Sequence, residues 1–512
     1  MRRGRDAALS RVVAVVLSGV AVGLAAAAAS SAATKRDPAA IPGIAAESLM
    51  KDVRTLASPK FAGRLAGSPG YDEAARWAAR RLEKLGLRPG GDGGGYLQGF
   101  PLEYNAIESC RLAIASGDGA PRALAIPADF TCRGFTGSGN VSAPVVFAGF
   151  GLSLPERGWD DYAGLDVAGK IVLVFKDPPP FEPPRAAEGV KGWGDAPLPR
   201  PKALNAQAHG AVGLLMVSLP KDGKIGPPIA SVLHGPGAHP AAFPQQHVSG
   251  AVAEALLAGS GVTLESLAKE IVAAKAPRSR ALPSSATMTV AARYRADQPA
   301  ANVVAILPGG DPELRGEAVV VGAHLDHVGT QEKVVWPGAN DNASGSAALL
   351  AVAEAFSRSH RPPRRTLVFV LFAAEEQGLH GSKWFVDHAP YPADRIVAML
   401  NLDCVGHGDA LQLGSGKSAP VLWELARSLD ADGDRVTIEE TWAGGGADAT
   451  PFHEQGVPTL YFATKKSYTH LHQASDRPET LNPALLEKVA RLAFRTARSV
   501  SDGAYDREAV KP

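Results

Sequence analysis

The sequence predicts an α/β fold, a three-layer αβα sandwich with a mostly parallel central sheet, interrupted by a β-rich insert. Three observations carry this. Four apolar runs, 318–323, 366–372, 396–402 and 458–462, lack polar alternation, as strands buried on both faces do. Helical patterns fall between those runs, which places helices on both faces of a parallel sheet. Residues 107–283 are instead rich in Pro and Gly, with short β-like runs at 143–147, 171–175 and 213–217.

In chain order, Arg2, Arg3 and Arg5 precede an apolar stretch over 12–29, and small residues follow to Ser31-Ala32-Ala33. This reads as a signal peptide, 1–33, cleaved near Ala33 for export to periplasm or medium, with an uncleaved anchor as its rival. No later run is long enough to span a bilayer, so no stable membrane insertion is expected after cleavage. The main domain occupies 34–106 and 284–502, and the insert 107–283. After a linker to residue 45, a helix from Ala46 aligns Leu49, Val53 and Leu56 on one stripe. Ser68 and Pro69 are a cap and first position for a second helix, with Ala74, Ala78, Leu82 and Leu85 buried and Gly86 as its stop. A strand is expected near 96–104. The Pro-heavy segment 177–201 is read as a loop of the insert. Asn482-Pro483 opens a late helix with Leu485, Val489, Leu492 and Thr496 on one face, and the polar residues 503–512 are expected to be a loose tail.

The formal net charge of +1 argues against a nucleic-acid binder, which normally shows a basic excess. GSGKS at 414–418 is no phosphate loop, because Leu411 stands where the first Gly is required. Of the three cysteines, Cys110 and Cys132 share a β-rich region and could pair, while Cys404 reads as a small core residue.

The chemistry concentrates between residues 319 and 403. VVVGAHLDHVG, WPGANDNASGSAALL, LFAAEEQGLHG and MLNLDCVGHG each place His, Asp or Glu where an apolar run stops, and open α/β sheets bind ligands beyond the carboxyl ends of their strands. Imidazole and carboxylate are the donors zinc takes. His324 and Asp326 share a face of an extended chain, so His324 is assigned to metal and Asp326 to its second ring nitrogen. Asp341, in the turn GANDNASG before a helix from about Ser344, is the candidate bridge. Glu375 and Glu376 are adjacent and diverge, so one can hold metal while the other moves protons. Asp403 ends a strand, and His472 completes the set. Three carboxylates (Asp341, Glu376, Asp403) with one hydroxide balance two zinc ions, whereas a single ion would leave the site over-charged.

On AHLDH, GANDNASG, AAEEQGLHGS, NLD and the H-x-x-x-D spacing of His472 and Asp476, the chain resembles the co-catalytic di-zinc aminopeptidases, a family that includes glutamate carboxypeptidases and glutaminyl cyclases. The resemblance implies one zinc on His324 and Asp403, another on Glu376 and His472, with Asp341 bridging. It further implies Glu375 as general base, Asp476 in support, a cis peptide after Asp341, and a peptide or protein substrate. FAGRLAGSPG resembles the family's opening, with Gly63 and Arg64 read as a structural turn and a place near the cleft mouth as the alternative. SAPVVFAGFGL, DDYAGLDVAGKIVLV and HGAVGLLMVS resemble a protease-associated domain that shapes or partly covers the cleft. Two departures stand out: Leu471 replaces the usual Tyr before the last His, with Tyr468 upstream, and Ala447-Asp448 replaces Ser-Asp. Trp442 and Gly444 to Gly446 are expected to line a subsite. Hydrolysis of an N-terminal peptide bond is the expected activity. A glutamate-carboxypeptidase-like hydrolase, a glutaminyl-cyclase-like transferase and a non-catalytic binding protein are the alternatives.

Overall fold

A computed structural model describes residues 41–511 apart from 118, 233, 234, 466 and 467; the expected signal peptide at 1–33 lies outside the described residues. At the centre of the main domain, strand Ala318–His324 runs parallel to both Thr366–Phe372 and Ile396–Leu402, and Thr459–Thr464 runs parallel beside the latter. Antiparallel strands close the two sides, Leu411–Gly414 on one and Arg280–Leu307 on the other. The sheet is therefore mostly parallel, as its non-alternating sequence requires.

Successive residues of one strand bury opposite faces. Val319, Val321 and Ala323 join a large core with the helices Ala46–Leu56, Pro69–Lys84, Gly345–Ser357 and Pro483–Ser501. Ala318 and Val320 face a smaller core with Phe385 and Phe452, from the helices His380–Asp387 and Ala449–Glu454. These two cores make the three layers. Ser68 caps the second helix by accepting from Tyr71 N, and Asn482 Oδ1 does the same for the last helix from Leu485 N at 3.3 Å.

The insert is not built as a separate bead. Strands Leu97–Ser116 and Arg280–Leu307 pair along most of their length and run through the expected junctions near 107 and 283. Within the insert, Gly139–Phe147, Ile171–Phe175, Gly213–Val217 and Gln245–Val248 form a parallel array. It also contains helices at Pro199–Ala208, Gly250–Leu257 and Leu264–Ala274. Leu264, Leu267, Ala268 and Ile271 give the last of these a buried stripe, capped by Thr263 and Ser266. A disulfide joins Cys110 to Cys132; Cys404 is free and only half-buried.

Residues 503–511 are not loose. Tyr505 is buried, Arg507 donates to the carbonyls of Ala393, Ile396 and Gly456, and Glu508 accepts from Val421 N and Leu422 N at the start of helix Pro420–Ala431. Polar composition suggested a solvated end, but these side chains serve as caps for helix and loop groups that need partners. Among the described residues, no helix is long and apolar enough to cross a membrane.

Candidate metal centre

Strand register sets the site. His324 lies opposite Phe372, which puts Glu375 and Glu376 in the turn just beyond the same sheet edge. Gly322 lies opposite Asn401, so Asp403 emerges level with His324. Asp341 arrives on the irregular turn Ala339–Ser344, and its bond to Asn342 is cis.

The asparagines of GANDNASG explain themselves by their contacts. Asn342 donates to Leu402 O at 2.9 Å and accepts from Gly345 N at 2.9 Å and Cys404 N at 3.3 Å. Asn340 Oδ1 accepts from Gly406 N at 2.8 Å. Together they tie the Asp341 turn to the strand end that carries Asp403. Gly345 must be glycine, because a Cβ there would stand 2.1 Å from Leu402 O. From the other side Asp476 accepts from Asn340 N at 2.8 Å and Asp341 N at 3.1 Å, and also from the Tyr468 hydroxyl.

All five expected ligands converge. His324 Nε2 lies 3.3 Å from both Asp341 Oδ1 and Asp403 Oδ1. His472 Nε2 lies 3.2 Å from Asp341 Oδ2 and 2.9 Å from Glu376 Oε2. Donors about 2.0–2.1 Å from one tetrahedral zinc ion are about 3.3 Å apart, so these spacings suit atoms that share an ion. Asp341 turns one oxygen to each group, as a bridge must. The side chains also fit divalent cations by charge: Asp341, Glu376 and Asp403 are buried together, and buried carboxylates in contact need compensating positive charge. Without metal the imidazoles supply it. Burial opposes a charged His324 and His472, yet Asp403 and Glu375 beside the first, and Glu376 and Asp341 beside the second, hold both rings well above the usual imidazole range. Burial likewise opposes a charged Asp341, but His324, His327 and His472 keep it well below the usual carboxylate range.

Asp326 sits beside His324 Nδ1, its main-chain oxygen at 3.3 Å and its Oδ1 at 3.7 Å. Its carboxylate accepts from the amides of Glu375 and Glu376 at 3.2 and 3.3 Å, which fixes the turn that presents both glutamates. Burial raises the Asp326 carboxyl to about 7, with His324 opposing. Glu375 is half-buried next to the ligand set. Burial, with Glu376, Asp448 and Asp403 adding to it against the pull of His324, lifts its carboxyl well above the ordinary value.

Several participants were not assigned from sequence. Arg64, expected in a structural turn, is fully buried and donates to Leu325 O, Leu56 O, Pro337 O and Gly338 O at 2.7–2.8 Å, clamping the His324–Asp326 segment to the approach of Asp341. Tyr461 donates to Asp403 Oδ2 at 2.8 Å and packs its ring edge-on to Trp442. His327 is buried with Nδ1 2.9 Å from Glu376 Oε1. The insert reaches the site as well: Ala230 N donates to His472 O at 3.0 Å, and Gln331 exchanges two hydrogen bonds with the main chain of Cys132.

Residues 302–497 match peptidase family M28, and residues 141–256 match the PA domain. Leupeptin-inactivating enzyme 1 of Streptomyces exfoliatus is 30% identical over 207 residues, covering 40% of this chain and 45% of that protein. A probable leucine aminopeptidase of Arthroderma benhamiae is 27% identical over 200 residues, covering 37% of this chain and 55% of its own. The chain thus spans about half the length of these curated relatives. The solved structure of a zinc aminopeptidase from Bacillus subtilis superposes with a TM-score of 0.59 at 19% identity, covering 91% of this chain and 98% of that one, a likeness of fold. Motifs and sheet edge agree with the matched segments, a peptidase family M28 segment over 302–497 and a PA domain over 141–256.

Proposed function

We propose that this protein is an exported exopeptidase that holds two zinc ions and removes N-terminal residues from peptides. The observation that carries the reading is the division of Asp341: Oδ1 lies 3.3 Å from His324 Nε2, which also meets Asp403, and Oδ2 lies 3.2 Å from His472 Nε2, which also meets Glu376. His324, Asp341 and Asp403 would hold one ion; Asp341, Glu376 and His472 would hold the other. When bound, such ions polarise a scissile carbonyl and acidify water. Glu375 is the proton carrier. Its carboxylate takes a proton from the attacking water and returns it to the departing amine. Asp326, through its hold on two successive amides, keeps Glu375 and Glu376 pointing to their separate tasks.

Aminopeptidase is favoured over a carboxypeptidase because Arg64, a cation that feels the charge of Asp341 and Glu376, is already engaged and offers no clamp for a substrate carboxylate. Arg64 directs its nitrogens at four main-chain carbonyls, leaving no fork for a ligand. The Trp442–Tyr461 pair beside Asp403 supplies an aromatic wall for the substrate. The PA domain supports the His472 loop through Ala230.

The test is a panel of free and N-blocked aminoacyl and dipeptide substrates, assayed with a metal count. Only free α-amines should be turned over. Glu375→Ala should lower kcat about 10²–10⁴-fold with both metals retained, and loss of metal in that variant would mean the roles of Glu375 and Glu376 are exchanged.

A further inference from the structure

We infer that the Cys110–Cys132 disulfide is a redox-sensitive brace of the metal centre, acting through Gln331 and Glu332. Closing it orders the segment between His324 and Asp341, and opening it weakens the hold on metal. The inference rests on the two-metal reading above.

The chain between those two ligands folds into a short hairpin, Thr330–Gln331 against Val334–Val335. A hairpin of that length does not hold itself together in water, so its place is set by what grips it. At the stem Gly329 N donates to Gly63 O and Thr330 Oγ1 to Ala62 O, each at 3.0 Å, next to the Arg64 clamp. Beside the stem Val328 and Trp336 pack on Ala230 of the insert, with Ala474 from the His472 loop against them. At the tip the grip is on the two cysteines. Buried Gln331 accepts from Cys132 N and donates to Cys132 O, both at 2.9 Å, and Glu332 Oε1 accepts from Cys110 N at 2.9 Å.

The covalent bond matters because one of its two carriers is weakly held. Cys110 lies in the long strand Leu97–Ser116, whereas Cys132 ends Phe130–Cys132, a strand at the sheet edge that pairs with Gln245–Val248 through three residues. With the bond open, the spacing between the two main-chain groups that hold the hairpin tip rests on that short ladder.

Two features suit the bond to exchange. Cys110 lines a surface cavity of about 410 Å³ with Ile126, Phe130, Glu332 and Lys333, an approach for a small thiol. The buried Gln246 amide directs Nε2 at both sulfurs, 3.5 Å from Cys110 Sγ and 3.9 Å from Cys132 Sγ, a donor for the thiolate released when the bond is attacked. In the reduction one small thiolate attacks a sulfur and expels the other, and a second displaces the mixed disulfide. Two electrons pass to the cysteines, two protons end on their sulfurs, and the small thiols leave as one disulfide. A disulfide oxidant outside the cytoplasm runs the same exchange backwards. A chain made in a thiol-rich compartment therefore stays poor in metal, and export completes its site.

For the test, zinc-loaded protein is equilibrated without oxygen in glutathione mixtures of graded ratio and freed of glutathione. It is then read for thiol count and, by chelator competition well below the melting temperature, for zinc affinity. The count should climb from one, Cys404, to three. Zinc affinity should fall about 10-fold or more over the same ratios, the scale for losing a group that orients metal ligands. Gln331→Ala keeps the bond but loses the grip on Cys132, so it should bind zinc weakly when oxidised and change little on reduction. Wild-type zinc affinity that ignores the thiol count would overturn the brace, and so would a Gln331→Ala protein with wild-type affinity and a full redox response. An oxidised wild type with a single zinc ion would sink the two-metal reading alone, the brace being read on the ion that remains; one with none would sink both. The wild-type titration needs no variant, so a misfolded substitution does not block the test.

Discussion

Arg64→Met removes a cation and four hydrogen bonds while keeping an unbranched apolar chain. The side chain is fully buried, and its four bonds, at 2.7–2.8 Å, end on carbonyls of Leu56, Leu325, Pro337 and Gly338. Each buried carbonyl left without a donor costs about 1 kcal/mol at the low end, so the substitution should destabilise by about 4 kcal/mol. Unfolding entropy is roughly 1 kcal/mol/K for a chain of this length, which makes the drop in Tm about 4 °C if the whole chain melts together and larger if the main domain melts alone. Burial lowers the Arg64 guanidinium to about 10, opposed by Asp476, Asp341, Asp326 and Glu376. The group therefore stays charged at neutral pH, and two effects on metal binding compete. Losing the cation favours metal by Coulomb's law, whereas losing the clamp loosens the Leu325 and Gly338 segments that present His324 and Asp341. Arg64→Lys separates them, since it keeps the charge but not the planar fork. We expect both variants to bind zinc more weakly in chelator competition, with Lys rescuing little. A Met variant that melts within 1 °C of wild type and binds zinc as well would refute the clamp.

Three further outcomes are expected. Replacing Cys110 and Cys132 together by Ser opens a link of sequence separation 22, worth about 3 kcal/mol by loop entropy; reducing-agent melts of wild type should match the double variant, and an unchanged Tm would contradict this. In metal-stripped protein, His324 and His472 have raised pKa values, so their stabilisation is complete below their ordinary 6.5 and is lost as pH rises through the folded values. Asp341 and Glu376 are lowered, so theirs is present above the ordinary 3.8 and 4.5 and is lost as pH falls through the folded values. The stripped protein should accordingly lose Tm from about pH 6.5 upward, and the gain from added zinc should widen; a stripped Tm that climbs over that range would be fatal to the argument. Gly338→Ala should cost both stability and metal affinity, because its φ of +58° disfavours a side chain and the Cβ would meet Asp341 O at 2.3 Å; a well-folded variant with normal affinity would mean the turn relaxes freely.

Much of the site was legible because several of the candidate ligands follow strands. Non-alternating runs named the four central strands, and in a parallel sheet their carboxyl ends share an edge, so the sequence already places His324, Glu375, Glu376 and Asp403 near one another. GANDNASG announced an unusual turn by its composition. His327 stood in the same AHLDH motif, but it lies beyond the strand, where period-two reasoning no longer fixes direction. Arg64 was hidden for another reason: its partners are carbonyls 261 to 274 positions away for three of the four bonds, and main-chain acceptors leave no mark on sequence. The insert's helices were masked by their Pro- and Gly-rich neighbours, although Leu264, Leu267, Ala268 and Ile271 have helical spacing. The tail over 503–511 looked solvated because its polar side chains act as caps for distant elements.

The sequence alone determined the layered α/β class, the strand ends and the kinds of donor available, since periodicity and residue chemistry are local properties. Tertiary structure alone decided how Asp341 shares its oxygens, which nitrogen of which histidine meets each acid, and what braces the turns. Those depend on register, on main-chain carbonyls and amides, and on contacts between residues far apart in the chain, where one ångström separates a ligand from a neighbour.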